Sequence, residues 1–384
     1  MAHHHLHVPK SLATVSISII DTTVRMNNIP YKFFMDTPYP GYETFSTPCY
    51  VFLIHHVPTN TRLLYDLGVR KDWATNAHPN ILKTMNHVGV QIEVEKDVAQ
   101  ILVDGGVKLQ DIDAVVLSHH HFDHVGDPRT FPANAKLLVG PGFKERHLPG
   151  WPANPEDDHS TSDTYEGREI EELSFEEGDE RVSEIGGFKA LDYFGDGSFY
   201  ILATPGHTAS HLSALARTTC AKDGEESSFI FMAGDLVHTC LCFRPSETYP
   251  LPSTIASPTT TDPFTATNPS IQTSPLTHIH RLHTHPSGAH LAQTTPFSLV
   301  SAYEEDVPCS QANATALANI FDGNENVLTV YAHDESLLDV LDFFPKGTAN
   351  EWKSKGWGER GHWRFLAELV KRLEGEGVDF GGGR

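Results

Sequence analysis

A chain of 384 residues can bury a sizeable core without staples, and its net charge of −22 repels phosphate backbones and anionic membranes, which excludes nucleic acid as a partner. No apolar run approaches the ~18 residues of a membrane span. Five cysteines, Cys49, Cys220, Cys240, Cys242 and Cys309, make an odd set without paired CxxC elements, which argues against a disulfide scaffold and for a reducing compartment, the cytoplasm.

The leading Met1-Ala2-His3-His4-His5-Leu6-His7 reads as a flexible terminus without a function. From Thr14 to Leu67, short apolar, β-branched and aromatic runs predict strands at Thr14–Ile20, Cys49–His55 and Arg62–Asp66, with Pro38-Tyr39-Pro40-Gly41 as a turn-rich loop. Asp66, at a strand end beside Leu67-Gly68, is either a turn former or a partner for a site. Val94, Val98, Ile101 and Leu102 share one face of a helix predicted over Glu93–Val103, stopped by Gly105-Gly106. Asp111–Leu117 is then a strand, and it delivers Ser118-His119-His120-His121-Phe122-Asp123-His124 at its end. Lys136–Val139 is the next strand, followed by an acidic stretch at about 151–184 read as a solvated loop. Between Glu156 and Glu184 it carries thirteen acidic residues against Arg168 and Arg181.

Strands at Phe188–Asp192 and Phe199–Ala203 follow, the second feeding Thr204-Pro205-Gly206-His207-Thr208-Ala209-Ser210-His211. Phe229–Ala233 ends in Gly234-Asp235-Leu236-Val237-His238. From about 244 to 298 the composition turns to Pro, Thr and Ser, which predicts an insertion, partly disordered or folded over the surface, with His278, His280, His283 and His285 solvated. A helix over Ala312–Phe321, a strand over Val327–Tyr331 ending in Ala332-His333-Asp334, a short helix over Ser336–Phe344 and a helix from about His362 to Leu373 complete the chain, with a frayed Gly-rich tail.

Four strand ends therefore deliver His119, His121, Asp123 and His124, then His207, Asp235 and His333. Neutral imidazole and carboxylate together are what Zn²⁺ and similar borderline cations bind. Five histidines and two aspartates suffice for two divalent ions, most simply Zn with Mn, Co or Fe as alternatives. One ion takes His119, His121 and His207, the other Asp123, His124 and His333, with Asp235 between them. Two ions ~3.5–4 Å apart can hold a shared hydroxide at neutral pH and polarise a carbonyl oxygen. Asp123 then counts as catalytic as well as ligating. His120 is a spacer.

The His119-x-His121-x-Asp123-His124 motif, the Thr204–Thr208 turn, Gly234-Asp235 and Ala332-His333-Asp334 together resemble the metallo-β-lactamase superfamily, over roughly Cys49 to Pro345. The resemblance implies an α/β four-layer fold, an αβ/βα sandwich of two central mixed sheets flanked by helices, as a single domain over 1–384. Within the superfamily the chain is most similar to quorum-quenching N-acyl-homoserine lactonases and related fungal hydrolases, which implies opening of a small-molecule lactone or related carboxylic ester. Where those lactonases carry a tyrosine three residues after the bridging aspartate, this chain has His238, which can donate to an oxyanion or a leaving alkoxide or serve as a packing residue. Ser210 stands where the turn commonly has Gly. An acyl-thioesterase and a mononuclear iron persulfide dioxygenase are the alternatives within the fold, and either a monomer or a homodimer is compatible with it.

Overall fold

The computed structural model describes residues 6–36, 43–155, 159–221, 226–265 and 268–381. The Pro38–Gly41 loop and the first five residues lie outside the described residues.

Twelve strands form two six-stranded sheets, and in each the spatial order follows the chain. The first holds β1 (Ser16–Asp21), β2 (Tyr50–His56), β3 (Thr61–Tyr65), β4 (Ala114–Val116), β5 (Lys136–Val139) and β6 (Ile170–Glu172). The second holds β7 (Val182–Ile185), β8 (Phe188–Asp192), β9 (Phe199–Ala203), β10 (Leu212–Thr219), β11 (Ser228–Gly234) and β12 (Val327–Tyr331). Pairing is parallel from β3 through β6 and again between β11 and β12; elsewhere it is antiparallel. Both sheets are therefore mixed, as expected.

Each strand serves two cores because successive side chains point to opposite faces. In β2, Phe52 and Ile54 join an inter-sheet core with Ile201, Ala214, Ile230 and Val330, while Val51 and Leu53 face a second core with Val98 and Leu102 of the helix Val98–Asp104. On the far side of the second sheet, Leu215 and Phe231 pack with Leu317, Leu369 and Val370 from helical segments near the C-terminus. Helix, sheet, sheet, helix is the resulting order of layers. Among the described residues no helix is long and apolar enough to cross a membrane.

Several local expectations need correction. Gln91–Val94 is a strand of a small sheet, with Val94 opposite Val24, and the helix begins at Val98 behind Asp97, whose carboxylate accepts from the Gln100 N–H at 2.8 Å. In the 151–184 stretch, of which residues 156–158 lie outside the described residues, Glu166, Glu169, Glu171, Glu176, Glu177 and Glu180 are exposed, but the stretch also contributes β6 and most of β7. Residues 244–298 do pack: Leu251, Ile255, Ile271, Leu276 and Phe297 join the outer core of the second sheet. His278, His283 and His285 are exposed as expected, whereas His280 is buried with Nε2 3.1 Å from the carbonyl oxygens of Thr295 and Pro296. The Ser336–Phe344 helix reduces to a single 3₁₀ turn at Glu335–Leu337. The helix expected over Ala312–Phe321 starts earlier, at Val307 behind Asp306 and with Pro308 in its first turn, and the one expected from His362 starts at Ala367. Of the Gly-rich tail, residues 382–384 lie outside the described residues, while just before it Phe380 is buried and its carbonyl accepts from the Gln272 N–H.

Candidate metal centre

Parallel strands end at the same edge, which is why residues far apart in the chain meet here. β3 and β4 run side by side, so Asp66 and Ser118 leave them as neighbours. The Asp66 N–H donates to the Val116 carbonyl at 2.9 Å. Asp66 adopts a left-handed backbone (φ 64°), which aspartate tolerates better than most residues. Its Oδ1 accepts from the Ser118 N–H at 2.7 Å and its Oδ2 lies 2.8 Å from His124 Nδ1. Both readings of Asp66 hold at once: it turns the chain and it grips the site.

β11 and β12 deliver Asp235 and His333 in the same way. Gly234, at φ +57°, is needed at this point. A Cβ there would meet Tyr65 Oη at 2.8 Å and His211 Nε2 at 2.9 Å. The two sheets are tied at the site by the Leu212 N–H donating to the Ser118 carbonyl at 2.8 Å and by Tyr65 Oη donating to the Leu212 carbonyl at 2.7 Å.

Around Asp235 the predicted residues converge. His119, His121, His207 and Asp235 offer atoms within 4.8 Å of one another, and so do His124, Asp235 and His333. Asp235 divides its oxygens between them. Oδ2 faces His207 Nε2 at 3.7 Å and His119 Nε2 at 3.8 Å, whereas Oδ1 faces His124 Nε2 at 3.1 Å and His333 Nε2 at 3.2 Å. Asp123 lies on the second side, its Oδ2 3.5 Å from His333 Nε2 and 3.9 Å from His124 Nε2. His120 turns away and stacks on His147 with ring centroids 3.7 Å apart.

The electrostatics suit cations. Burial, and then the neighbouring imidazoles, hold His119 and His121 well below the usual histidine range, so both are neutral donors of a lone pair. Burial also disfavours charge on His124 and His333, but Asp235 overrides it and raises both. Asp235 itself is held well below the carboxylate range despite burial, by His124, His333 and His238. A buried carboxylate of this kind demands positive charge around it. Buried atoms without a hydrogen-bond partner in the protein include His119 Nε2, His124 Nε2 and Asp235 Oδ1. Left so, each costs desolvation energy, and together they are the donor set that a divalent ion takes. The residues fit a metal.

Sequence reasoning missed two members of the surroundings. Cys49 Sγ lies 3.8 Å from His333 Nδ1, but burial pushes its thiol up, which disfavours the thiolate a metal prefers. Glu304, buried, places Oε2 3.1 Å from His207 Nδ1. Nothing in Tyr303-Glu304-Glu305-Asp306 distinguishes it from any acidic turn.

The family model described as Metallo-beta-lactamase superfamily matches residues 45–216. The gamma-lactamase FDB1 of Fusarium pseudograminearum (strain CS3096) is 37% identical over 94% of this chain and 84% of its own length. The chain belongs to the metallo-beta-lactamase superfamily. It is a metal-dependent hydrolase of that family. The metallo-hydrolase mfmC of Annulohypoxylon moriforme is 36% identical over 96% of the chain and 91% of its own length. Among solved structures, a quorum-quenching N-acyl homoserine lactone hydrolase matches with a TM-score of 0.51 at 14% identity, over 88% of this chain and 99% of its own; that likeness is one of fold.

Proposed function

We propose that this metallo-beta-lactamase-fold chain opens the ring of a cyclic carboxyl compound, a γ-lactam or a lactone, at a site of two divalent ions. The observation that carries the two-ion reading is the division of Asp235, one oxygen toward His119 and His207 and the other toward His124 and His333. His119, His121 and His207 would hold one ion, Asp123, His124 and His333 the other, with Asp235 shared. Bound there, such ions supply Lewis-acid polarisation of a carbonyl and a nucleophile drawn from water near neutral pH.

The chain's own residues do the rest. A cavity of about 310 Å³ opens beside His238 and His333, walled by Tyr31, Phe45, Thr260 and Lys371 among others. Thr260 belongs to the 244–298 insertion, which supports reading that insertion as a wall of the pocket in a single domain. His238 is one of its walls, with Nε2 3.1 Å from Asp235 Oδ2 and its ring stacked on Phe34 with centroids 4.3 Å apart. In this reading it gives a proton to the departing heteroatom. A lactam needs this more than a lactone does, because an amide nitrogen leaves poorly unless protonated.

We place the γ-lactam ahead of the lactone because the relative named a gamma-lactamase shares 37% identity along nearly the whole chain, whereas the lactone hydrolase shares fold alone. The test is incubation of the zinc-loaded protein with a γ-lactam and, separately, an acyl-homoserine lactone, with gain of one water read by mass spectrometry. Turnover of the lactone alone returns the reading to ester hydrolysis. Turnover of neither rejects ring opening.

A further inference from the structure

One buried carboxylate reaches two imidazoles at once. Glu304 Oε2 lies 3.1 Å from His207 Nδ1, and Oε1 lies 3.7 Å from His238 Nδ1. Both rings turn their other nitrogen toward the same atom, Asp235 Oδ2, at 3.7 Å for His207 and 3.1 Å for His238. The rings are neighbours, with centroids 4.6 Å apart.

Glu304 is itself fixed. Ser310 Oγ donates to its Oε2 at 3.0 Å. The residues beside it run along the turn that carries His207: the Glu305 N–H donates to the His207 carbonyl at 3.3 Å, the Asp306 N–H to the Gly206 carbonyl at 2.9 Å, and the Ala209 N–H to Glu305 Oε2 at 2.8 Å. A Cβ on Gly206 would meet Ser310 Oγ at 2.8 Å and Ser310 N at 3.0 Å, so the approach depends on glycine. Glu304–Ser310 is thus a strap across the His207 turn, beyond residues 45–216 where the family model matches.

We propose that Glu304 is a positioning residue that holds the Nδ1 edges of His207 and His238, and thereby sets both the metal affinity of the His119–His121–His207 cluster and the attitude of His238 toward the pocket. The physical reason is general: an imidazole that ligates through Nε2 is oriented and made more basic by a carboxylate at Nδ1. Here a single carboxylate does this for a ligand and for the group beside it. The proposal rests on the reading of the cluster as a metal site.

The experiment is zinc affinity by competition with a chromophoric chelator, on wild type, Glu304→Gln and Glu304→Asp, with the melting temperature of each apoprotein in parallel. Glutamine keeps the volume but not the charge. Expected is a loss of about 10- to 100-fold in affinity for one equivalent in Glu304→Gln, with the other equivalent and the apoprotein melting temperature unchanged, and part of the loss recovered in Glu304→Asp. Equal affinity in wild type and Glu304→Gln overturns the proposal while leaving the metal site standing. So does a fall in apoprotein melting temperature that accounts for the affinity loss. Three equivalents bound by the wild type would put an ion among His207, His238 and Glu304 and also overturn it. A wild type that binds none rejects the metal site itself.

Discussion

Asp66 and His124 are joined across 58 positions of sequence, Asp66 Oδ2 lying 2.8 Å from His124 Nδ1 while its other oxygen accepts from Ser118 at 2.7 Å. The carboxylate fixes the ring whose Nε2 faces Asp235 and at the same time holds the start of the His-rich turn. Asp66→Asn keeps the shape and tolerates the left-handed backbone, but loses the charge. Its affinity for one zinc equivalent should fall by about 10- to 100-fold. Chelator competition checks this, and unchanged affinity would reduce Asp66 to a turn former.

Asp123 stands at the edge of the second cluster, 3.5 Å from His333 Nε2 and more open than its partners. Asp123→Ala should lose one metal equivalent and lower kcat by at least about 100-fold. Metal analysis together with steady-state kinetics reads both. Full activity in this variant would remove the dinuclear mechanism.

His238 separates chemistry from metal binding. His238→Phe retains a flat ring against Phe34 but no proton to give. We expect kcat to fall by about 100-fold, with metal content unchanged and the larger loss on lactam than on lactone. Identical kinetics would make His238 a packing residue.

His362, buried against Tyr249 with ring centroids 3.9 Å apart, gives a pH signature of stability. Burial, and then Arg244, push it down to about 3. In the unfolded chain it titrates near ~6.5. Between these values only the unfolded chain binds the proton, so stability is full above pH ~6.5 and falls as pH drops toward 3, by up to ~1.4 kcal/mol per unit. Urea denaturation at pH 7 and pH 5 should show a loss in wild type larger by about 2 kcal/mol than in His362→Gln. Parallel losses in the two proteins would contradict the assignment.

The parts of this molecule legible in its sequence are those where burial writes a continuous apolar run. Lys136–Val139, Phe199–Ala203 and Val327–Tyr331 are strands at the expected bounds, because strands covered on both faces leave little room for polar alternation, and Phe188–Asp192 matches its bounds with Lys189 turned outward between buried Phe188 and Ala190. The seven residues expected at strand ends converge for the same reason: the strands that carry them are unmistakable. Val94 misled because its spacing to Val98 and Ile101 imitates a helix, although Val24 pairs with it in a sheet whose other members lie far away in sequence. Asp97, the helix cap, was the signal that marks the true start. In the insertion, Leu251, Ile255, Ile271 and Phe297 are too sparse to announce a core, and they acquire one only from the second sheet's outer face. Glu304 was invisible because its role comes entirely from where that insertion returns the chain.

The central claim is that one carboxylate, Asp235, is shared between two cation positions, and metal stoichiometry tests it most directly. After loading with excess zinc and exhaustive desalting, the wild-type chain should retain two equivalents, measured by elemental analysis against protein concentration. Retention of a single equivalent, or of one iron with uptake of oxygen in its place, would contradict the account.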